Sequence, residues 1–283
     1  MTVPPAERVR ERLRPLAGER LAAEMPDGYQ RMGRVLLLRL PPAYRPFADV
    51  LGRSWQDVLG VTTVLNQVGP VEGELREPRV ERWAGTETET EVVEHGIRWR
   101  FDAARVMFAA GNRTERRCAG TLVVPGETVV DLFSGIGYFA IPAARVGRAA
   151  RVVAVEKNPV AYRYLLENAR VNSVTDQLLP VLGENRSVPI EPGRADRVFL
   201  GYLPDSLPWL PRAVELLRPE GGWVHAHTVV DSRDGPAEAT RQLSVAAREI
   251  GAVALGPPRG RVVKPYGPGR THVVVDARLR PGG

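Results

Sequence analysis

The middle of the chain carries two acids and two glycines in an order that can hold a nucleotide. Asp131 ends an apolar run, Gly135 and Gly137 follow it, and Glu156 ends a second apolar run further along. Glycines let the backbone turn tightly and approach a ligand, while an acid after the next strand accepts hydrogen bonds from ribose hydroxyls. In dinucleotide sites an apolar strand usually runs straight into the turn, so Asp131 argues against a nicotinamide cofactor. The alternative is a glycine turn that only closes a βαβ unit.

The elements that must position these residues alternate between strand and helix. Asn158 before Pro159 predicts the start of a helix that runs through Asn168. Further strands are predicted at 178–182, at 195–204 together with the loop that follows, at 223–229, and at 271–277 paired with the run around Val262. Long helical connections imply a parallel sheet, and such sheets bind ligands outside the carboxyl ends of their strands. The predicted fold is α/β, with a doubly wound, mostly parallel sheet.

The N-terminal part has an α/β pattern of its own. A helix is predicted over 6–24, a strand over 34–40, a second helix over 44–58 and a second strand over 61–65. From residue 86, alternating residues on both sides of His95-Gly96 predict a hairpin. We therefore expect a small N-terminal α/β subdomain at 1–85 and a ligand-binding domain at 86–283, with 86–117 as a bridging hairpin and loop.

Basic residues outnumber acidic ones, and nearly all of them are arginine. The 39 basic residues include only two lysines, Lys157 and Lys264, and the 33 acidic residues leave a formal charge of +6. Arginine suits phosphates, which would indicate an RNA partner. A GC-rich genome imposes the same composition on any protein, so the charge alone does not decide between these interpretations.

Composition also limits the sites that the chain can hold. Cys118 is the only cysteine, which excludes an internal disulfide and a cysteine-based metal cluster, and the four histidines have no matching ligand set. The first twenty residues carry arginine and glutamate without an apolar core, and no apolar run approaches the ~20 residues of a membrane span. We expect no metal, no membrane association and a cytoplasmic location.

Several segments together resemble one branch of the class I S-adenosylmethionine (SAM) enzymes. They are Gly111-Asn-Arg-Thr-Glu-Arg116, Asp131-Leu-Phe-Ser-Gly-Ile-Gly137, Val155-Glu-Lys-Asn-Pro159, Glu184-Asn-Arg186 and His272-Val-Val-Val-Asp276. Over residues 27–279 the chain is similar to the archaeal and eukaryotic tRNA guanine-N1 methyltransferases and to the related 3-amino-3-carboxypropyl transferase of the wybutosine pathway. The methyltransferases carry an Asn-x-Pro loop after the fourth strand. Here Gly201-Tyr-Leu-Pro204 and Val224-His-Ala-His227 are similar to the aminocarboxypropyl branch instead.

This resemblance implies a Rossmann-like SAM-binding domain with an antiparallel last strand. It also implies that SAM is a substrate, attacked at Cγ with release of methylthioadenosine. The expected cofactor contacts are Arg113, Arg116, Asp131, Phe133, Ser134, Gly135, Gly137, Tyr138, Glu156, Lys157, Asn158, Glu184, Asn185, Gly201 and Leu203. The expected catalytic residues are Asn112, Tyr202, His225 and His227.

Within this resemblance, several of these residues have expected roles. Phe133, Tyr138 and Tyr202 are candidate aromatic walls that face the sulfonium. Glu184 or Asn185 is expected to contact the adenine. Arg113 or Arg116 is expected to anchor the carboxylate, unless these arginines only pair with neighbouring glutamates. The two histidines could deprotonate an amine or bind a carboxylate; otherwise they are strand-end histidines satisfied by protein groups.

Three acceptors are compatible with this chemistry. The α-amine of SAM can attack Cγ intramolecularly and form azetidine-2-carboxylic acid, as in bacterial SAM cyclases that resemble this branch. The modified guanosine of tRNA is the alternative acceptor. A third possibility is an RNA-binding module that keeps SAM as a structural ligand, but the intact loop and acid argue against it. Because the composition points to a bacterial source, the cyclase is the expectation preferred at this stage, ahead of tRNA transfer and of guanine-N1 methylation.

Overall fold

The chain divides between Ala110 and Gly111 into two units, each with its own sheet. The computed structural model describes residues 3–70 and 73–282. The hairpin that was expected to bridge two domains at 86–117 belongs to the first unit, and the glycine loop belongs to the second.

The first unit is a small α/β arrangement. It contains α1 (Pro5–Ala23), β1 (Tyr29–Met32), β2 (Val35–Leu38), a 3₁₀ helix at Pro42–Phe47, α2 (Ala48–Leu59), β3 (Thr63–Gln67), β4 (Val80–Ala84), β5 (Glu89–Glu94) and β6 (Ile97–Asp102). Strands β1 to β4 form one sheet in chain order, with β2 and β3 parallel, and β5 pairs with β6 as the predicted hairpin. Val9 and Leu13 of α1 and Trp55 of α2 are buried in one core with Leu36 and Leu38 of β2.

Helix α1 differs from the prediction on one face. Leu16 was expected in its apolar stripe but is 56% exposed. The helix is interrupted at Gly18, where φ is 82°, and Pro15 precedes this point, so the stripe does not continue along one face. Neither α1 nor any other helix within residues 3–70 and 73–282 is long and apolar enough to cross a bilayer.

The second unit has the predicted βα alternation. It follows a 3₁₀ helix at Ala110–Asn112 and contains α3 (Arg113–Leu122), β7 (Thr128–Asp131), α4 (Ala140–Arg145), β8 (Arg151–Glu156), α5 (Pro159–Val171), β9 (Leu178–Leu182), β10 (Arg197–Leu200), a 3₁₀ helix at Leu207–Trp209, α6 (Leu210–Leu216), β11 (Gly222–Asp231), α7 (Gly235–Glu249), β12 (Val253–Ala254), β13 (Arg259–Gly267) and β14 (Arg270–Arg280). The sheet order is β12-β14-β11-β10-β7-β8-β9, with β13 also paired to β14. Strand β14 runs antiparallel to β11, whereas β7 to β11 are parallel. The predicted fold class is confirmed.

The strand order determines where a ligand can enter. From β7 the chain continues outward through β8 and β9, and it then returns to the other side of β7 with β10 and β11. The order therefore reverses at β7. In doubly wound sheets, the crevice at such a switch point, outside the carboxyl ends of the strands, is the usual ligand site. Asp131, Glu156 and Leu200 end the three strands around this crevice.

Candidate active site

The loop after β7 adopts a conformation that requires its glycines. Gly135 has φ of 55° and Gly137 has φ of 102°, in the region that side chains disfavour. A Cβ on Gly135 would lie 2.8 Å from the Tyr138 ring, and one on Gly137 would lie 2.5 Å from Ile141 Cδ1. The backbone N–H of Ser134 donates to the Val155 carbonyl at 2.9 Å, which ties the loop to β8. The loop therefore packs so closely on Tyr138 and Ile141 that a side chain at either glycine would collide with them.

Glu156 holds this loop and the next helix together. Its Oε2 accepts a hydrogen bond from the Gly135 N–H at 2.7 Å, and its Oε1 accepts one from the Asn158 N–H at 2.7 Å. Burial raises the pKa of the Glu156 carboxyl, and these backbone donors oppose the rise. A carboxylate oxygen has two lone pairs, so each oxygen can still accept a ribose hydroxyl. The position predicted for Glu156 suits that role, and the carboxylate is held in place before any ligand arrives.

Asp131 is completely buried at the end of β7. Its Oδ1 accepts a hydrogen bond from the Phe133 N–H at 3.2 Å, whereas Oδ2 has no hydrogen-bond partner in residues 3–70 and 73–282. Burial raises the pKa of Asp131 to about 7. A buried carboxyl oxygen without a partner is unfavourable, so this site suits a ligand that brings a donor or a positive charge.

Residues that follow β8 and β9 mostly contact protein groups. Asn158 Oδ1 accepts from the Val160 N–H at 2.8 Å and caps α5, which begins at Pro159 as predicted. Lys157 Nζ lies 2.7 Å from the Glu184 carboxylate, and both side chains are partly exposed. These contacts shape the rim of the crevice. Whether Lys157, Asn158 or Glu184 also contacts a ligand stays a prediction.

Three aromatic rings pack together where β7 and β10 end. The Phe133 ring centroid lies 5.1 Å from those of Tyr202 and Trp209, and the centroids of Tyr202 and Trp209 are 5.0 Å apart. Trp209 Nε1 donates to Asn185 Oδ1 at 2.8 Å, and Asn185 Nδ2 donates to the Leu132 carbonyl at 3.2 Å. Asn185 therefore fixes Trp209. We call Phe133, Tyr202 and Trp209 the aromatic cluster.

Trp209 was not among the residues that the sequence predicted for the site. It lies in a segment with a helical pattern, and its only signal was its position shortly after the loop that follows β10. That loop begins at Gly201, where a Cβ would lie 2.6 Å from the Phe139 ring. Tyr202 and Leu203 are half-buried in it. Gly201 thus allows the loop to pack directly on Phe139.

Both ring nitrogens of His225 contact charged groups. Arg197 Nη1 lies 2.6 Å from Nε2, and Asp276 Oδ1 lies 2.6 Å from Nδ1. Because arginine only donates, Nε2 accepts and the Nδ1–H donates to Asp276. The ring is neutral, and burial lowers its pKa. In this arrangement His225 is neither free to take a proton from a substrate nor able to bind a substrate carboxylate.

The contacts of His225 continue into a longer buried ionic network. At one end, Arg197 forms a pair with Glu127, whose Oε2 lies 2.8 Å from Nε. At the other end, Arg261 Nε lies 3.4 Å from Asp276 Oδ2, and Arg261 Nη1 contacts Glu115. Glu115 is 3% exposed and belongs to α3. The network connects the amino ends of β7 and β10 with α3.

His227 is part of a second buried contact. Its Nδ1 lies 2.9 Å from His272 Nε2, and its ring stacks on Phe139 with centroids 5.2 Å apart. His272 is fully buried, and its Nδ1 has no partner within the described part of the chain. Burial lowers the pKa of His227 well below its ordinary value and that of His272 to about 4. Both rings are therefore neutral at physiological pH.

The first turns of α3 separate the residues expected to bind the substrate's polar end. Asn112 precedes the helix, but its side chain does not cap it, and its Oδ1 is buried without a partner in the described residues. Arg116 is buried, with its guanidinium carbon 5.8 Å from the centroid of the Tyr138 ring, whereas Arg113 is exposed. Of the two expected carboxylate anchors, Arg116 faces the glycine loop and Arg113 faces solvent.

In residues 3–70 and 73–282, no group of three or more His, Cys, Asp or Glu side chains is arranged to hold a metal ion. The ring nitrogens of His225 contact Arg197 and Asp276, and His227 contacts His272.

Comparison with known proteins assigns the chain to a family. The model of the TRM5/TYW2 methyltransferase domain matches residues 90–255, and that of the TYW2 N-terminal domain matches residues 9–88. The chain belongs to the TRM5/TYW2 family. The resemblance seen in the sequence is therefore confirmed, and the family boundary near residue 89 lies before the structural division at Ala110.

Relatives within this family match over nearly the whole chain. A Pyrococcus horikoshii protein named tRNA(Phe) (4-demethylwyosine(37)-C(7)) aminocarboxypropyltransferase is 35% identical over 96% of this chain and 96% of its own length. The crystal structure of P. horikoshii TYW2 in complex with MeSAdo has a TM-score of 0.83 and 32% identity, covering 97% of this chain and 99% of its own. That of M. jannaschii TYW2 in complex with AdoMet has a TM-score of 0.73 and 31% identity, covering 90% and 100%.

A test of the donor site follows from the two tasks of Glu156. Glu156→Ala removes the acceptor for the Gly135 N–H together with the acceptors for ribose, so we expect SAM affinity to fall by about 10- to 150-fold, or roughly 1.5–3 kcal/mol. Isothermal titration calorimetry measures it. Glu191→Ala, at an exposed acid paired with Arg194, is the control. Unchanged affinity in Glu156→Ala would contradict the assignment.

A second prediction concerns the buried histidine pair. His272 has a lower pKa in the folded state, about 4, than in the unfolded state, so its contribution to stability is complete above the unfolded value of about 6.5 and is lost as pH falls towards 4. One pKa unit corresponds to about 1.4 kcal/mol. We expect His272→Gln to flatten the decline in unfolding free energy between pH 7 and pH 4.5, measured by urea denaturation.

The control for this prediction is the exposed His95, whose substitution His95→Gln should leave the decline intact. Asp131 changes the pH dependence of stability in the opposite direction, because its pKa is raised in the folded state. The wild type and both variants contain Asp131, so its effect cancels in the comparison. If His272→Gln and the wild type lose stability in parallel on acidification, His272 is not buried in the neutral form beside His227, and the result contradicts the structure.

Proposed function

We propose that this protein transfers the 3-amino-3-carboxypropyl group of SAM to a guanosine-derived base of tRNA and releases methylthioadenosine. The observation that carries this proposal is the near-full-length similarity to a relative named as a tRNA(Phe) aminocarboxypropyltransferase. The TYW2 structures with MeSAdo and AdoMet, which match this chain over most of its length, support SAM as the donor.

The residues around the crevice fit this donor. The glycine loop turns tightly at the end of β7, Glu156 presents lone pairs for ribose hydroxyls, and Asp131 offers a carboxyl oxygen that has no partner among the described residues. When bound, SAM would supply an electrophilic Cγ beside a sulfonium, with methylthioadenosine as the leaving group. The protein's task is to present that carbon, and no other, to the acceptor.

The aromatic cluster provides a means of orientation. Phe133 and Tyr202 follow neighbouring strands, and Trp209 is fixed by its hydrogen bond to Asn185. Aromatic faces attract a desolvated cation by about 2 kcal/mol or more, which would hold a sulfonium in one position. An acceptor base in line with the reacting carbon, at roughly 3–3.5 Å, then reacts as an intramolecular partner would. Gly201 lets the loop that carries Tyr202 lie directly on Phe139.

A proton must leave the acceptor when the new bond forms. His225 is occupied at both nitrogens, whereas His227 is occupied at Nδ1 by His272. In the tautomer whose His227 Nδ1–H donates to His272 Nε2, His227 Nε2 carries no proton and is the ring atom that can accept one near the loop after β10. Because burial lowers the pKa of His227, the proton would be held only briefly and passed on to solvent or RNA.

The comparisons favour tRNA as the acceptor over the cyclisation that the sequence alone led us to prefer. That preference depended on composition, which reports the host genome and not the reaction. Nothing in the relatives' names supports ring closure, and the described site contains no group specific to it. The two reactions release the same nucleoside, so the requirement for RNA separates them.

The test is turnover with and without RNA. Purified protein is incubated with SAM alone, or with SAM and tRNA from a strain blocked before aminocarboxypropyl transfer, and nucleosides are separated by chromatography. We expect methylthioadenosine only when tRNA is present, together with a mass gain on the RNA. Release of methylthioadenosine without RNA would contradict the proposal in favour of the cyclase. S-adenosylhomocysteine as the main product would indicate a methyltransferase.

A further inference from the structure

Helix α3 has a buried face and an exposed face of different character. Glu115 and Arg116 are buried, Glu115 against Arg261 and Arg116 against the Tyr138 ring. Arg113 and Arg117, one helical turn apart, are exposed. Within residues 3–70 and 73–282, the side chains of Arg113 and Arg117 make no hydrogen bond or ion pair.

This exposed pair is unfavourable for the helix itself. Like charges four residues apart repel one another, and Arg113 occupies the first position of the helix, where the helix dipole disfavours a cation. Asn112 provides no side-chain cap. On α7, by contrast, the exposed Arg241 pairs with Glu238 one turn away. The charges on α3 therefore oppose the stability of the helix. An anion bound by Arg113 and Arg117 would reduce both the repulsion between them and the unfavourable interaction of Arg113 with the helix dipole.

The pair also lies next to the candidate active site. Arg116, on the same turns of α3, contacts Tyr138 of the glycine loop, so the start of α3 flanks that loop. An acceptor base that enters the crevice brings its own backbone phosphates to the surface around it. Arginine binds phosphate through a fork of two N–H donors and keeps its charge at any physiological pH.

We propose that Arg113 and Arg117 bind backbone phosphates of the RNA that presents the acceptor base. This inference rests on the proposed function, because it takes the acceptor to be tRNA. Arg113 then contacts the RNA. Of the two arginines predicted to anchor the SAM carboxylate, only Arg116 lies against the glycine loop. Contacts of this kind position the RNA and carry no sequence information.

The test is the salt dependence of tRNA binding, measured with the full chain in the absence of SAM. Arg113→Gln/Arg117→Gln removes two phosphate contacts, so we expect binding about tenfold or more weaker at low salt. We also expect the slope of log K against log salt concentration to become shallower by about 1.5–2. Arg113→Lys/Arg117→Lys keeps both charges and should retain most of the slope.

The matched control is Arg151→Gln/Arg278→Gln. Both residues are exposed, and both lie at the amino-end edge of the sheet: Arg151 begins β8, and Arg278 pairs with Trp223 near the start of β11. This variant loses the same charge and should keep the wild-type slope. Circular dichroism of each variant checks that it is folded.

Three results would overturn the inference. The slope of the Arg113/Arg117 variant could equal that of the control, the wild type could fail to bind tRNA, or the variant could lose SAM affinity with its slope unchanged. The last result would indicate that Arg113 binds the carboxylate of SAM and not the RNA. If tRNA binds with the expected slopes but methylthioadenosine is not released, only the proposed function fails.

Discussion

The candidate site depends on one carboxylate that joins two elements. Glu156 accepts hydrogen bonds from the Gly135 N–H and the Asn158 N–H, and it thereby connects the loop after β7 with the start of α5. The two elements follow β7 and β8, which are adjacent parallel strands, so they begin close together. The carboxylate is rigid because the backbone holds it, and it retains lone pairs for a ligand. Holding the carboxylate in place before a ligand binds lowers the cost of ordering the candidate site.

A second constraint lies within the sheet, where charged groups are buried in a chain of contacts from Glu127 to Glu115. Replacing such ion pairs by apolar side chains is often neutral or stabilising, so stability alone does not account for them. Their geometric effect is clear: Arg261 holds Glu115, and Glu115 belongs to the helix that carries Arg116 to the glycine loop. His225, neutral between Arg197 and Asp276, completes the chain of contacts without adding a charge.

Local pattern was enough to predict much of this arrangement. The glycine loop, Asp131 and Glu156 are set by short-range sequence, because strand, turn and helix signals are adjacent in the chain. The Asn158 cap follows from the same kind of signal. In contrast, Trp209, His272 and the contact of Arg261 with Glu115 depend on residues far apart in sequence, which periodicity does not report. The sequence alone also did not distinguish tRNA from the α-amine of SAM as the acceptor, because arginine content reflects codon usage as much as binding partners.

The proposed reaction transfers the aminocarboxypropyl limb of SAM, and not its methyl group, to the acceptor. The most direct measurement uses two SAM samples, one labelled with ¹³C at the carboxyl carbon and one at the S-methyl carbon, each incubated with protein and undermodified tRNA. We expect the carboxyl label to appear in the RNA and the methyl label to remain in methylthioadenosine. Methyl label in the RNA would contradict it, and so would carboxyl label confined to a small molecule.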